Sequence, residues 1–421
     1  MRFATVAEWL AWQQVAHPVA VDPGLERVGE VWRRLRPARP GTVLTIAGTN
    51  GKGSVAATLE SLLAAAGYET GLFTSPHLLR YHERIRVHGR ELDDAALLSA
   101  FARIDAARAE VSLTYFEWSA LAAFLAFADA RVDAAVLEVG MGGRLDAVNL
   151  PEPDVATVVT VGLDHCEWLG ATREQIGAEK AAIFRPGRPA IFGARDMPES
   201  VARTAAERGA RLRRLGVDFD YVERVDGWDY IGFGSRRREL PLPALTGARQ
   251  LENAATALAV LEAAEPGVLI PDQAVRAGLP RVRLPGRFQV LVGDPEWVLD
   301  VAHNPEAAAA LAASLAARPR RGRTIAVCGI LADKDVEAIV RPLAGRVGRW
   351  IAVGLSGPRA LPAAELAARI AAASAESVDV AADVAVGCRR ARALAAPADR
   401  ILVFGSFLTV GPALAELGQS A

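Results

Sequence analysis

The stretch Thr42-Val43-Leu44-Thr45-Ile46-Ala47-Gly48-Thr49-Asn50-Gly51-Lys52-Gly53-Ser54 decides how the rest of this chain is read. Residues 42–47 are β-branched and apolar, residues 48–53 are rich in glycine, and residues 55–66 carry a helical pattern that stops at Gly67. That is strand, glycine loop, helix. In such a loop successive backbone N–H groups point inward at phosphate oxygens, and the helix dipole adds to the attraction. Lys52 supplies a compact charge for the β- and γ-phosphates, and the Ser54 hydroxyl can ligate Mg²⁺. The strict P-loop pattern is not met, because Ile46 stands where its first glycine belongs and Gly53 separates the lysine from the serine. The context carries the reading: Thr49, Asn50, Gly51, Lys52, Gly53 and Ser54 are candidate nucleotide contacts. The alternative is a glycine-rich turn with no ligand.

Composition narrows the classes around that loop. Of 48 lysines plus arginines only three are lysines (Lys52, Lys180 and Lys334), leaving 45 arginines. A chain that uses arginine wherever a surface cation will do keeps lysine where a compact or deprotonatable amine is needed. The formal net charge of −1 gives no global basic field for nucleic acid. Cys166, Cys328 and Cys388 are widely spaced, which argues against a disulfide framework or a zinc knuckle. The N-terminus has no apolar signal core, and the most apolar run, residues 119–128, is about half the ~20 residues a membrane span needs. A cytoplasmic protein with no membrane is expected.

Strand-like runs at residues 70–73, 134–139, 155–161 and 189–192 alternate with helical stretches, which implies a mostly parallel sheet covered on both faces. A break falls near residues 280–286. Beyond it strands at 297–301, 324–328, 350–353, 378–381 and 400–404 alternate with Ala-rich helices such as 305–317. The expectation is an α/β chain with a large domain, 1–285, of P-loop type and mostly parallel sheet, and a smaller Rossmann-like α/β domain, 286–421, with ligands in a cleft.

Within the large domain, Glu138 ends an apolar strand and opens a glycine-rich loop to Asp146, and His165 follows the next strand. Ser75, after the 70–73 strand, can join them. A carboxylate, an imidazole and a hydroxyl form an acceptable shell for Mg²⁺ or Mn²⁺. Lys180 has apolar neighbours that suggest a half-buried helix end. Its amine can hold a cation's partner, react with CO₂ to give a carbamate, or simply pair with Glu179 or Glu138. In the second domain Arg287 can clamp a phosphate or be one surface arginine among many. Asp300 can take ribose hydroxyls, with His303 and Asn304 beside a base. Asn304 before Pro305 also reads as a helix N-cap. Asp333-Lys334-Asp335 either supports phosphates or caps a helix.

With those residues in hand, the chain resembles the folylpolyglutamate synthase/dihydrofolate synthase family of the Mur ligase superfamily. The resemblance runs in order through residues 24–28, 48–54, Thr74-Ser75-Pro76-His77-Leu78, Glu83-Arg84-Ile85, Thr114-Tyr115-Phe116-Glu117, 138–149 and Leu163-Asp164-His165. It continues through Glu179-Lys180, Asn253-Ala254-Ala255, Pro285-Gly286-Arg287, 300–305, Asp333-Lys334-Asp335 and Phe404-Gly405-Ser406-Phe407. The Gly-Lys-Gly-Ser loop is similar to this family's form. Arg249-Gln250 departs from a frequent His-Gln, and Val301 from a common glycine.

The resemblance implies an ATP-dependent ligase that activates a carboxylate as an acyl phosphate and joins it to L-glutamate, with dihydropteroate, reduced folates or both as the other substrate. Lys52 and Ser54 would serve ATP and its Mg²⁺, and Ser75, Glu138 and His165 a second cation, Mg²⁺ or Mn²⁺. Lys180 would be an N-carboxylysine. Asn253, Arg287, Asp300 and His303 would contact ATP, and Phe116 and Asp146 would lie by the pterin. Lys52, Lys180, His165 and Glu138 would carry catalysis in a monomer that binds no nucleic acid. The rivals are a wall-precursor ligase acting on a UDP-linked substrate and a P-loop ATPase driven by a partner protein.

Overall fold

The computed structural model describes residues 2–419, and they cluster into two units. Among the described residues, unit 1 comprises 2–76, 81–244 and 251–282, and unit 2 comprises 77–80, 245–250 and 283–419. Two short segments inside the first 285 residues thus cluster with the second unit, and no local pattern in the sequence marks them.

Unit 1 is built on β1 (Thr42–Ala47), β2 (Thr70–Phe73), β3 (Ile85–Val87), β4 (Arg90–Glu91), β5 (Ala134–Glu138), β6 (Val155–Val158), β7 (Pro189–Phe192) and β8 (Arg211–Arg214). They form one sheet in the order β4-β3-β2-β5-β1-β6-β7-β8. All neighbours are parallel except the β2–β3 and β3–β4 pairs. Every residue of β1 is buried, as a central strand covered on both faces requires. Alternate residues serve opposite cores: Val43 and Ala47 enter one, Leu44 and Ile46 the other. A separate antiparallel meander, β9 (Asp220–Arg224), β10 (Gly227–Ile231) and β11 (Arg236–Leu240), completes the unit.

Unit 2 carries β12 (Gln289–Leu291), β13 (Glu296–Asp300), β14 (Thr324–Cys328), β15 (Arg349–Val353), β16 (Val378–Ala381) and β17 (Arg400–Phe404). Their order is β12-β13-β17-β14-β15-β16, parallel apart from the edge strand β12. Helices pack on both faces, so Ala326 and Cys328 enter one core and Ile325 and Val327 the other.

Three differences from the sequence reading matter for the site. The helix after the loop begins at Lys52, three residues earlier than its apolar pattern, because Gly51 at φ +87° turns the chain directly into it. Strand β5 stops at Glu138 and β6 at Val158, where the backbone leaves the ladder. Lys180 is fully buried, at 4% exposure, and not half-buried. No helix among the described residues is long and apolar enough to cross a membrane.

Candidate active site

In unit 1 the chain order changes direction at β1, which has β5 on one side and β6 on the other. Ile46 lies opposite Glu138 and Ala47 opposite Val158, so the three strands end level. Their following loops therefore emerge side by side, the place where doubly wound sheets put ligands.

The phosphate loop is held from the β6 side. Val159 N–H donates to the Ala47 carbonyl at 2.9 Å, and Thr49 N–H to the Thr160 carbonyl at 2.9 Å. The Thr160 hydroxyl accepts from Asn50 N–H at 2.9 Å and donates to the Asn50 carbonyl at 3.0 Å. The Thr49 hydroxyl accepts from Gly162 N–H at 2.9 Å and donates to the Gly162 carbonyl at 3.2 Å. The amides of Thr49 and Asn50 are thus engaged in shaping the loop. The anion cradle falls to Gly51, Lys52, Gly53 and Ser54, whose N–H groups lie at the start of the helix Lys52–Ala65 and have no intrahelical acceptor. Asn253 lies against this turn: a Cβ built on Gly51 would stand 2.7 Å from its Oδ1. Ser54 is buried at the first turn.

Lys52 Nζ donates to the Gly48 carbonyl at 3.0 Å, and Lys180 Nζ reaches the same oxygen at 3.1 Å. Lys180 is carried by the helix Arg173–Ala181, which Thr172 and Gln175 close with a capping box. Glu179, one of the two acids weighed as its partner from sequence, instead pairs with Arg144 at 3.0 Å. Burial first, then the charge of Lys52, pushes the Lys180 amine down to about 7, against the opposing pull of Asp164 and Asp146.

Glu138 is 5% exposed, and its Oε2 accepts from Ser75 N–H at 3.4 Å. The structure therefore brings Ser75 and Glu138 together. His165 adopts φ +51° at the head of the short helix Cys166–Leu169, with its N–H bonded to Asp164 Oδ1 at 2.9 Å. Among the described residues no three His, Cys, Asp or Glu side chains gather as a metal cage. Serine hydroxyls, one buried carboxylate and an imidazole suit a cation that completes its shell with water and phosphate oxygens. That is how Mg²⁺ is usually held, so the donor set fits.

Asp146 caps the turn Ala147–Asn149, accepting from Met141 N–H and Val148 N–H, each at 2.9 Å. Burial raises its carboxyl to about 6, against the amides of Met141, Val148 and Gly140 and the charge of Lys52. Phe116 sits on the helix Tyr115–Ala130 and lies so close to the loop that a Cβ on Gly140 would stand 2.5 Å from its ring. Next to it, Glu117 takes a hydrogen bond from Arg27 at 3.1 Å.

Unit 2 gathers its own group. Asp300 accepts from the N–H groups of Phe288 and Ala302, both at 2.8 Å, so its carboxylate organises the turn whatever else it binds. Burial raises its pKa, while those amides, then Arg287 and His303, pull it down. The Arg287 guanidinium lies 4.9 Å from the Phe407 ring centroid and the His303 ring 6.3 Å from it. His303 Nδ1 is 2.9 Å from the Val301 carbonyl; an N–H there leaves Nε2 as the acceptor nitrogen. Asn304 caps the helix Pro305–Ala317 through Ala307 N–H at 2.9 Å. Asp333 pairs with Arg359 and Lys334, and Asp335 caps the helix Val336–Val340, which is the capping alternative of the two weighed from sequence.

Thr160 and Asp164 are the site residues the sequence reading passed over. A threonine two places past a strand end carries no motif, whereas an Asp directly before His165 was a signal that went unused.

A helix-terminal phosphate cradle beside a carboxylate–serine pair, with a second α/β unit, is the arrangement of a Mur-type ligase. Residues 46–261 match the family model of the Mur ligase middle domain and residues 286–407 that of the Mur ligase glutamate ligase domain. A dihydrofolate synthase/folylpolyglutamate synthase of Escherichia coli K12 is 44% identical over 407 residues, covering 96% of this chain and 94% of that one. Its counterpart in Mycobacterium tuberculosis is 34% identical over 82% of this chain and 77% of its own. The solved structure of E. coli FolC in complex with DHPP and ADP matches with a TM-score of 0.94 at 42% identity, covering 99% and 98% of the two chains. A bifunctional folylpolyglutamate synthase/dihydrofolate synthase with Mn, AMPPNP and L-glutamate bound matches at 0.92 and 43% identity, with the same coverage. The chain belongs to the dihydrofolate synthase/folylpolyglutamate synthase family.

Proposed function

We propose that this chain is an ATP- and Mg²⁺-dependent ligase that adds L-glutamate to dihydropteroate and to the γ-carboxylate of reduced folates. The observation that supports it best is the joining, at the level ends of β1 and β5, of the cradle at residues 51–54, Lys52 and the Glu138–Ser75 pair. The relatives' names and the ligands of the solved structures, ADP, DHPP and L-glutamate, point the same way.

A carboxylate does not acylate an amine at neutral pH, because oxide is a poor leaving group. Transfer of the γ-phosphoryl of ATP to that carboxylate supplies a good one, and the α-amine of glutamate then displaces phosphate. The cradle amides and Lys52 position the phosphates and balance their charge. Asn253, Arg287, Asp300 and His303 are proposed as further nucleotide contacts, and Phe116 and Asp146 as pterin contacts. Ser54, Ser75, Glu138 and His165 would hold the divalent cations, which supply Lewis-acid stabilisation of developing oxyanions. Lys180 is proposed as the site of an N-carboxylysine, since a buried amine near 7 is deprotonated enough at neutral pH to take up CO₂. We place the boundary between the catalytic and C-terminal domains near residue 285, and propose a cytoplasmic monomer.

ADP release is to be measured with Mg²⁺ and L-glutamate against dihydropteroate, a reduced folate and a UDP-muramoyl substrate. Turnover with both pterins is expected. Turnover with the UDP substrate alone would overturn the reading in favour of wall-precursor ligation, and turnover with none in favour of an ATPase driven by a partner protein.

A further inference from the structure

We propose that Thr160 is a positioning residue of the nucleotide site, a splint that sets the phosphate loop in its binding shape before any nucleotide arrives. The proposal rests on the reading of the loop as the site for ATP phosphates, and goes beyond it in naming what makes the loop competent.

A glycine-rich loop is a poor binding site unless something removes its freedom. Gly48 and Gly51 both have positive φ, at +152° and +87°, and glycine pays the largest entropy to be fixed there. The helix Lys52–Ala65 has no side-chain cap at Gly51, so it cannot hold the turn by itself. The segment past β6 does so. Through its hydroxyl and its carbonyl, Thr160 makes three hydrogen bonds to the adjacent peptides of Thr49 and Asn50, between 2.9 and 3.0 Å. Val159 and Gly162 secure the loop on either side of it.

Two consequences follow. The Thr160 hydroxyl satisfies both the donor and the acceptor of Asn50, a double duty that valine, of nearly the same shape, cannot perform. The same segment also runs on to Asp164 and His165, so loop and candidate cation ligand hang from one piece of backbone.

Thr160→Val therefore weakens ADP binding, read by calorimetry, about tenfold, because two polar groups in the loop lose their partner and the loop must be ordered by the nucleotide instead. Thr160→Ser keeps the hydroxyl and restores binding to within about threefold of the unaltered chain. A merely structural role would move the melting temperature of both variants together with affinity. The splint predicts a raised KM for ATP with the KM for L-glutamate unchanged in Thr160→Val.

Amide hydrogen exchange of the unaltered chain tests the same idea without a variant. Without nucleotide the Thr49 and Asn50 amides are already protected, while those of Gly51 to Ser54 gain protection only on ADP binding. Fast exchange at Thr49 and Asn50 before ADP, or full ADP affinity in Thr160→Val, overturns the splint alone. Failure of the unaltered chain to bind ADP overturns the ligase reading beneath it.

Discussion

Lys52 and Lys180 direct their side-chain nitrogens at one atom, the carbonyl oxygen of Gly48, from 3.0 and 3.1 Å. Burial first, and then repulsion from the Lys52 nitrogen aimed at the same acceptor, makes the Lys180 amine yield its proton more easily. That explains why a chain with 45 arginines keeps two of its three lysines here. Arginine stays charged and cannot supply a neutral amine beside a charged one.

Lys180 sits at about 7 in the folded chain and near 10.5 unfolded, so its pKa is depressed by folding. The unfolded chain binds the extra proton between those values. The destabilising contribution is therefore full below pH 7 and is relieved as pH rises from about 7 towards 10.5. Denaturant midpoints measured from pH 6 to 9 should rise more steeply for the unaltered chain than for Lys180→Met; parallel curves would remove the depressed pKa. Lys180→Ala should lose activity and regain part of it with small carboxylic acids, and activation by bicarbonate should grow through pH 7. Full activity in Lys180→Ala, or in a CO₂-free preparation, would end the carbamate proposal.

Lys52→Ala should abolish ADP release, and Lys52→Arg should fail to restore it, since a planar guanidinium cannot occupy the point that an ammonium takes beside the Gly48 carbonyl. Unchanged turnover in Lys52→Ala would exclude the loop from nucleotide chemistry.

Asp146 has the opposite sign. Its carboxyl is raised from 3.8 to about 6, so the folded chain holds a proton that the unfolded chain gives up in that interval. The stability this supplies is present below pH 3.8 and is lost as pH rises through 6. Asp146→Asn lacks that dependence. The stability of the Asn variant relative to the unaltered chain should thus climb between pH 4 and 6.5 in urea unfolding, and a flat difference would contradict the raised pKa.

What could be read beforehand follows from how each residue signals itself. Strands β1, β2, β7, β14 and β17 were legible end to end because buried parallel strands are mostly β-branched or apolar runs; the edge strand β16, with one buried residue, was legible from its two valines. Strands β8 (Arg211-Leu212-Arg213-Arg214), β9 and β11 were not, since arginine and glutamate on sheet edges break the apolar run; β10, the buried centre of the meander, was passed over as well. In the site, Lys52 stood out by rarity and Glu138 by its place at a strand end. Thr160 acts through hydrogen bonds to backbone 110 residues away, which no local pattern encodes. Thr49 and Asn50 lie in the loop, but their N–H groups turn to Thr160, so only the next four residues have amides to offer an anion.

Gly140→Ala tests Phe116. The added methyl would stand 2.5 Å from Cε2 and 2.6 Å from Cζ of the ring, so the ring must move. The KM for dihydropteroate should rise with the KM for ATP unchanged. Equal effects on both substrates, or none on either, would detach Phe116 from the pterin.

Gly51→Ala tests the cradle itself. Gly51 has φ +87°, which costs an alanine about 1–2 kcal/mol. Its Cβ would also stand 2.7 Å from Asn253 Oδ1 and 2.9 Å from Val159 Cγ1. The Asn253 contact is separable from the strain and from the Val159 contact, because it alone is removed with the Asn253 side chain. Gly51→Ala should lower stability by about 1–3 kcal/mol and weaken ADP binding. Adding Asn253→Ala should recover the part due to the Asn253 contact and leave the backbone strain and the Val159 contact in place. The two changes are thus non-additive in stability, as contacting residues are. Affinity should not recover in the pair, since Asn253 is proposed to touch the nucleotide. Strict additivity in a double-mutant cycle would show that Asn253 does not rest on the loop, and full recovery of ADP binding in the pair would show that it holds the turn without contacting the ligand.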